Sequence, residues 1–381
     1  MSKSLRRHSL QSLNQKKTEP AAGLYIHVPF CASKCPYCDF FSVAATDMVD
    51  AWCESVRCEL ELYREQFPRF ETVYLGGGTP SLLSDAQLGS LMEHMCSSVS
   101  IVDGAECTIE VNPDDLTSEK AGFLHGLGFN RLSLGVQSFD DRLLLLLKRR
   151  HTAGQACAAI EHAAASGFDS ISLDLMFGLP GQDWESELAQ AVGFEPGHLS
   201  CYQLTVKPGT PFHQLHQSGE LEIASDETLV QLFMLTDSIL ENFGYVHYEV
   251  SNFARGPEHE SRHNSIYWQH LPYLGLGPSA HSFDGQTRWW NTSSLPEYCS
   301  NLASGSRPAA GREALTQEQL RLERLMLGLR TQRGIALQDV SADESVVERL
   351  QGAGLIAVQD GRVIPTVRGM LFADRLPLVL E

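Results

Sequence analysis

One pattern constrains this chain more than any other: a short β-rich run, a Gly-rich or polar loop, then a helical stretch, repeated. The β-rich runs are Gly23–Val28, Thr72–Leu75, Cys107–Val111, Arg131–Gly135, Ser170–Met176 and His198–Leu204. Helical patterns fall between them, at Asp47–Gln66, Asp85–Ser98, Ser118–Leu127, Asp140–Lys148, Ala153–Ser166 and Asp183–Ala191. Strands that alternate with helices predict a parallel sheet with helices outside it. Six such units, with Tyr245–Val250 as a further strand, predict an α/β fold: a full or partial TIM-like barrel. The chain has 381 residues, which suits such a barrel plus a smaller second unit.

Charge and hydropathy remove other classes. The formal net charge is -18, and a protein that tracks phosphates is ordinarily basic, so nucleic acid is not an expected partner. The longest pure aliphatic run, Leu143 to Leu147, is far short of the roughly 18 apolar residues of a membrane-spanning helix. Residues 1–18 hold Lys3, Arg6, Arg7, Lys16 and Lys17 and no acid. This segment lacks the apolar stretch of a secretory signal and is expected to be a disordered tail over 1–20, a weak organelle-targeting segment being the alternative. The expected location is cytoplasmic. Seven scattered cysteines (Cys53, Cys58, Cys96, Cys107, Cys157, Cys201 and Cys299) then read as reduced thiols.

The pattern changes near residue 205. Residues 206–219 read as loop, a helix is expected over Asp226–Asn242, and residues 251–300 read as irregular. A linker carrying Ser304, Gly305, Ser306, Pro308 and Gly311 leads to a last segment. There, helices Thr316–Leu329 and Glu344–Ala353 precede strands Leu355–Val358 and Arg362–Ile364, the order of a small winged-helix domain. Few bases cluster there, so packing or partner contact is the expected use rather than DNA binding. The expected organisation is therefore a tail at 1–20, a barrel core at 21–205, a completing segment at 206–305 and a C-terminal domain at 306–381.

Three further cysteines are crowded together as Cys31-x-x-x-Cys35-x-x-Cys38. The spacing also fits one face of a helix, but Pro36 in its middle opposes a regular helix. Zinc ordinarily takes a fourth ligand in matched pairs, and no second pair is present. Three thiolates on a short loop suit a [4Fe-4S] cluster with one iron open to an exogenous ligand.

In a parallel barrel the chemistry sits at the C-terminal strand ends. Gly76-Gly77-Gly78-Thr79-Pro80 follows the second run, and three glycines allow close approach of a ligand to the backbone. A plain tight turn is the alternative. Later ends carry Glu110 in EVNP, Gln137 in GVQSF and Asp174 in DLMFGLP. Three polar side chains in succession on one rim point to a shared polar ligand. Arg149 and Arg150 either serve carboxylates or cap a helix C-terminus.

The order Tyr25-Ile26-His27-Val28-Pro29-Phe30, CxxxCxxC, GGGTP, EVNP, GVQSF and DLMFGLP resembles the coproporphyrinogen III oxidase-like branch of the radical S-adenosylmethionine (SAM) superfamily, over about residues 22–205. That resemblance implies a partial (β/α)6 radical SAM barrel with a small C-terminal α+β, winged-helix-like domain. It implies a cluster on Cys31, Cys35 and Cys38, with SAM on the open iron. It also implies that Tyr25, Gly77, Gly78, Thr79, Glu110, Gln137, Arg149 and Asp174 contact SAM, Arg149 being chosen over Arg150.

Two kinds of member divide the branch. The oxygen-independent coproporphyrinogen III dehydrogenases carry CxxxCxxCxC, and Phe40 stands here in place of the fourth cysteine. Arg262-His263-Asn264-Ser265-Ile266-Tyr267-Trp268 resembles an HNxxYW element associated with heme in the branch's heme chaperones. A neutral imidazole is a good iron ligand, and the two aromatics could cover a porphyrin. From the residues alone, a His and two aromatics at an interface between barrel and C-terminal domain fit as well. His247, His259, His270 and His281 are competing ligands. The resemblance thus implies a chaperone that holds heme with the help of His263 and passes it to heme-dependent proteins such as respiratory membrane enzymes, with at most a peripheral contact to the membrane. Dehydrogenation of the porphyrinogen is the alternative function and is not expected; cleavage of SAM is compatible with the scaffold.

Overall fold

A computed structural model describes residues 21–381; the expectation for the tail lies outside the described residues. Six strands pair in parallel in chain order: β1 (Ala22–Val28), β2 (Arg69–Gly77), β3 (Ser100–Val111), β4 (Arg131–Gln137), β5 (Ser170–Phe177) and β6 (His198–Gln203). Helices α1 (Val49–Tyr63), α2 (Asp85–Ser98), α3 (Ser118–Gly126), α4 (Asp141–Leu146), α5 (Ala153–Ala165) and α6 (Trp184–Gly193) connect them. Local chemistry sets where these helices begin. Ser84 accepts the Gln87 N–H while its own N–H donates to the Gln87 side chain, and Thr152 and Gln155 repeat the exchange, so two otherwise orphaned donors are satisfied at each start.

Alternation along the strands separates two environments. Leu24, Ile26, Val73, Leu75, Ile109, Leu132, Leu173 and Leu199 face the helices and join Trp52, Leu88, Ile160 and Leu188 in one buried apolar core. The intervening residues face the lumen and are polar: Tyr25 and His27, Thr72 and Tyr74, Thr108 and Glu110, Ser133, Ser172 and Asp174, His198 and Ser200. A barrel of this kind is ordinarily filled by branched aliphatic side chains; this lumen is built for hydrogen bonding.

Beyond β6 the chain forms α7 (Pro211–Gln217), α8 (Asp226–Asn242), β7 (Val246–Glu249), β8 (Asn252–Ala254), α9 (Arg262–Trp268), β9 (Tyr273–Leu276), β10 (His281–Phe283), β11 (Thr287–Asn291), α10 (Leu295–Ala303) and β12 (Ala309–Ala314). The sheet has 12 strands in the order β12-β11-β10-β9-β1-β2-β3-β4-β5-β6-β8-β7. It is a partial TIM-like barrel, extended at both edges by antiparallel strands. The further strand expected over Tyr245–Val250 does not join the parallel set: β7 lies at the outer edge, antiparallel to β8. The seventh parallel strand is β9, on β1, inside the segment expected to be irregular. Strands this short give no readable period. Residues 206–219, expected as loop, contain α7, started by Pro211 and by Thr210 accepting the His213 N–H. Residues 309–314, expected in the C-terminal unit, form β12 on the main sheet.

The C-terminal unit comprises α11 (Gln317–Gly328), β13 (Ile335–Ala336), α12 (Glu344–Gly352), β14 (Ile356–Gln359), β15 (Arg362–Pro365), α13 (Val367–Met370) and α14 (Leu376–Leu380). Its three strands, in the order β13-β15-β14, pack with the helices around Leu325, Leu329, Ile335, Val347, Ile356 and Val363, a winged-helix-like arrangement.

One buried carboxylate fastens the antiparallel extension to the barrel. Glu59 of α1 accepts the Gly277 N–H at 2.9 Å, the Tyr298 hydroxyl at 2.6 Å and the Asn291 amide at 2.6 Å. Burial pushes its pKa up to about 7. Removing it strands three donors in the interior. Glu59→Ala should therefore lower unfolding free energy by roughly 3 kcal/mol, read by urea denaturation, because each unsatisfied buried donor is destabilising. A loss within error of zero would show that water replaces the carboxylate.

Candidate functional site

The cysteine loop leaves the C-terminal end of β1. Its ends are drawn together by the Cys31 N–H donating to the Val43 carbonyl at 3.0 Å and the Val43 N–H to the Pro29 carbonyl at 2.7 Å. No helix forms over residues 31–38, as Pro36 requires. Cys31, Cys35 and Cys38 are free and half-buried. From above, the Phe212 N–H of α7 donates to the Pro36 carbonyl at 3.0 Å, and Tyr37 packs on the Phe212 ring.

A cavity of about 420 Å³ opens at the strand ends. All three cysteines line it, together with Gly77, Gly78, Thr79, Glu110, Gln137, Arg149 and Asp174. The volume is in the range of small-molecule sites. Tyr25 stands apart from this group: it is not among the lining residues, and its hydroxyl pairs with His27 Nδ1 at 3.0 Å. It lies beside Tyr74 and His263, with Glu110 close enough to act on its hydroxyl.

The glycine run serves the protein's own groups. A Cβ at Gly76 would stand 2.7 Å from Glu110 Oε1, one at Gly77 2.4 Å from His27 Nδ1, and one at Gly78 2.6 Å from the Phe30 carbonyl oxygen. Glu110 takes advantage of the approach. It accepts the Gly77 N–H at 3.0 Å and the Tyr74 hydroxyl at 2.8 Å. Burial, followed by the neighbouring Asp174, pushes the Glu110 pKa up to about 7. Burial also raises Asp174, and hydroxyl donors hold it partly back; Ser133 reaches it at 2.8 Å. Gln137 closes β4 with φ 67°, a left-handed conformation uncommon outside glycine.

Arg149 rather than Arg150 faces the thiols. Its Nη1 donates to Cys35 Sγ at 3.5 Å, and its Nη2 to Asn112 Oδ1 at 2.6 Å and the Gly135 carbonyl at 3.0 Å. Arg150 is engaged by Asp114 and Asp115 on the rim. Thr79 donates to Cys31 Sγ at 3.7 Å. Tyr74, Asn112 and Ser133 belong to the site although sequence reasoning did not select them. Their signal was available: each lies on the lumen side of its strand or at a strand end.

Among the described residues no group of three or more His, Cys, Asp or Glu side chains is gathered as a single metal ion needs. A [4Fe-4S] cluster takes each thiolate on a different iron, and three cysteines spread around a cavity suit that donor set. Arg149 and Thr79 offer hydrogen bonds to two of the sulfurs.

His263 does not present a free nitrogen. It is 1% exposed, with Nδ1 at 2.7 Å from Thr72 Oγ1 and Nε2 at 2.8 Å from the Tyr267 hydroxyl. Burial alone lowers its pKa to about 3. The ring is thus enclosed at the N-terminal end of the barrel, with both nitrogens engaged by side chains of the protein. His247 is likewise engaged on both nitrogens, by Asp237 and the Val250 carbonyl. His259 and His270 each use one, on Ser170 and Glu323. His281 is exposed, and its ring lies 6.0 Å from that of Trp290 at 27°.

Residues 25–192 match the model of the radical SAM superfamily, and residues 315–372 match the HemN C-terminal domain. The chain is 37% identical over 362 residues to the heme chaperone HemW of Mycobacterium tuberculosis, covering 92% of this chain and 93% of that one. It is 35% identical to HemW of Bacillus subtilis, covering 92% and 97%. To the mitochondrial radical S-adenosyl methionine domain-containing protein 1 of Danio rerio it is 32% identical, covering 94% and 87%. Coproporphyrinogen III oxidase (HemN) from Escherichia coli shares the fold, with a TM-score of 0.79 at 23% identity over 94% of this chain and 90% of that one. With its cysteine loop, strand-end residues and C-terminal unit all in place, the chain belongs to the HemW family of the radical SAM superfamily.

Proposed function

We propose that this protein is a cytoplasmic heme chaperone. It holds a [4Fe-4S] cluster on Cys31, Cys35 and Cys38, takes SAM into the cavity beside it, and passes heme to heme-dependent proteins such as respiratory membrane enzymes. The observation that carries this reading is the 37% identity, over 92% of the chain, to proteins described as heme chaperones. Phe40 supports it, standing largely exposed at the cavity mouth where the longer cysteine motif has its fourth thiol. No helix among the described residues is long and apolar enough to cross a membrane.

The bound cluster supplies one-electron chemistry and an iron on which SAM is held. This chain's residues orient the ligand. Glu110 and Asp174 offer carboxylates to an ammonium and to hydroxyl groups, Gln137 offers an amide, and Gly78 and Thr79 line the wall beside the cysteines. Arg149 is already fixed by Asn112 and Gly135, which leaves its Nε the unpaired donor of the guanidinium. Single Cys31→Ser, Cys35→Ser and Cys38→Ser variants should each lose the visible absorption of anaerobically reconstituted protein, while Cys299→Ser keeps it. A normal cluster spectrum without Cys35 would remove the assignment.

Glu110 gives SAM binding a pH dependence. Its pKa is pushed up to about 7, so the carboxylate is ionised above that pH and neutral below it. Affinity for the cationic ligand should fall about tenfold from pH 8 to pH 6, in step with the ionised fraction. Glu110→Gln should bind weakly at both values. Equilibrium dialysis decides, and a flat wild-type profile would assign the contact elsewhere.

For heme, His281 replaces His263 as the proposed axial ligand. The residue is exposed, but its ring is partly covered beside Trp290, and that desolvation together with Arg288 lowers its pKa, which favours the neutral, ligating form. His281→Ala should shift the Soret band and weaken heme binding in a titration, without altering cluster absorption. The same preparation, reduced and supplied with SAM and coproporphyrinogen III, should give no protoporphyrinogen. Product at an enzymatic rate would overturn the chaperone reading.

A further inference from the structure

The HNxxYW residues lie at the opposite end of the barrel from the cysteine loop, yet they touch the site. Helix α9 seals the N-terminal strand ends. Glu106 of β3 accepts its first N–H groups, from Arg262 at 3.0 Å and His263 at 2.9 Å. Gly23 of β1 makes room: a Cβ there would stand 2.9 Å from Ile266 Cδ1 and 3.4 Å from His263 Cε1. The His263 ring is then fixed on both nitrogens, by Thr72 and Tyr267. Its face lies on Tyr74, with ring centres 5.0 Å apart and planes 26° apart. Tyr74 reaches the cavity and donates its hydroxyl to Glu110 Oε1 at 2.8 Å, while Glu110 Oε2 accepts the Gly77 N–H.

We infer that His263 is a positioning residue of the SAM cavity: its ring seats Tyr74, and Tyr74 holds the Glu110 carboxylate in the cavity wall. The inference rests on the reading that SAM binds there. The imidazole acts as a flat, fully hydrogen-bonded platform, so its role is stacking and rigidity rather than ligation. A tyrosine with no such platform could turn its hydroxyl away from Glu110, leaving the carboxylate to the Gly77 N–H alone. Stacked rings and a charge-assisted hydrogen bond supply geometric definition at a point where a displaced carboxylate no longer meets the ligand.

Two substitutions of similar size separate a platform from a plug. His263→Phe keeps a flat ring and His263→Leu does not, and both lose the two nitrogen hydrogen bonds. SAM affinity of the cluster-loaded full chain, measured by equilibrium dialysis, should stay within about twofold of wild type in His263→Phe and fall about tenfold in His263→Leu, the weight of one hydrogen bond to a charged group. Tyr74→Phe should fall by the same factor, and the double variant His263→Leu/Tyr74→Phe no further, because both remove one interaction. Heme affinity should be unchanged in all of them. Equal losses in His263→Phe and His263→Leu, wild-type affinity in both, or additive losses in the double variant would each overturn the inference. Wild-type protein with full iron content and no affinity for SAM would instead overturn the underlying reading.

Discussion

A barrel with a polar lumen must find partners for most of the hydrogen-bonding groups that it encloses, and that requirement shapes the rest of this molecule; Thr108 Oγ1 is an exception. Buried donors and acceptors without partners are strongly disfavoured. At the N-terminal end α9 meets the demand. Glu106 accepts its first amides, His263 joins Thr72 to Tyr267, and Arg131 donates to the His259 carbonyl at 2.8 Å. His198 continues the set, with Nδ1 on Ser172 and Nε2 on Tyr248. At the other end no segment among the described residues plugs the strands. Glu110, Gln137 and Asp174 face the cavity, and burial raises both carboxylic acids toward neutrality. The cavity therefore lies at the C-terminal end of a polar lumen whose N-terminal end α9 covers.

The parts legible in the sequence were those governed by local rules. Alternation of β-rich and helical stretches located the six parallel strands. Pro36 excluded a helix under the cysteines, strand-end position selected Glu110, Gln137 and Asp174, and the family resemblance chose Arg149; the fold brings all four to one cavity with Cys31, Cys35 and Cys38. What sequence did not disclose depends on contacts between distant residues. Strands β9 to β12 are held by Glu59, whose partners Gly277, Asn291 and Tyr298 lie more than two hundred residues along the chain. His263 carries the chemistry of a ligand, but Thr72, 191 residues away, takes one nitrogen. Tyr25 carries a polar group at a promising place, but its hydroxyl turns to His27. The glycine run looked like a cradle for a ligand, and its first occupants are Glu110, His27 and the Phe30 carbonyl.

The roof of the cavity follows from a second, separate apolar cluster. Leu143 and Leu147 beside Arg149, Met176 and Leu179 after β5, Leu204 after β6 and Phe212 of α7 pack together, with Tyr37 of the cysteine loop against them. One small core thus positions the thiol loop, the guanidinium segment and two strand ends at once. A metal site gains its properties from such surroundings as much as from its ligands, through solvent exclusion and hydrogen bonds to sulfur. Here Asn112 and Gly135 hold Arg149 so that Nη1 points at Cys35, and Thr79 points at Cys31. Two of the three sulfurs therefore meet donors fixed by the barrel rather than by the loop that carries the sulfurs.

The proposed heme face and the cysteine loop lie on different elements but share a wall. Gly277, between β9 and β10, packs so closely that a Cβ there would stand 2.5 Å from the His27 carbonyl oxygen. His27 in turn uses Nε2 on the Phe41 carbonyl at 2.9 Å, just beyond the last cluster cysteine. Glu59 accepts the Gly277 N–H from the other side. The turn that leads into His281 thus lies between α1, which accepts the Gly277 N–H, and the strand that launches the cysteine loop. Packed interiors yield little to displacement. A displacement of Phe41 would accordingly be felt first at His27, whose side chain holds the Phe41 carbonyl and whose own carbonyl lies against the turn before His281.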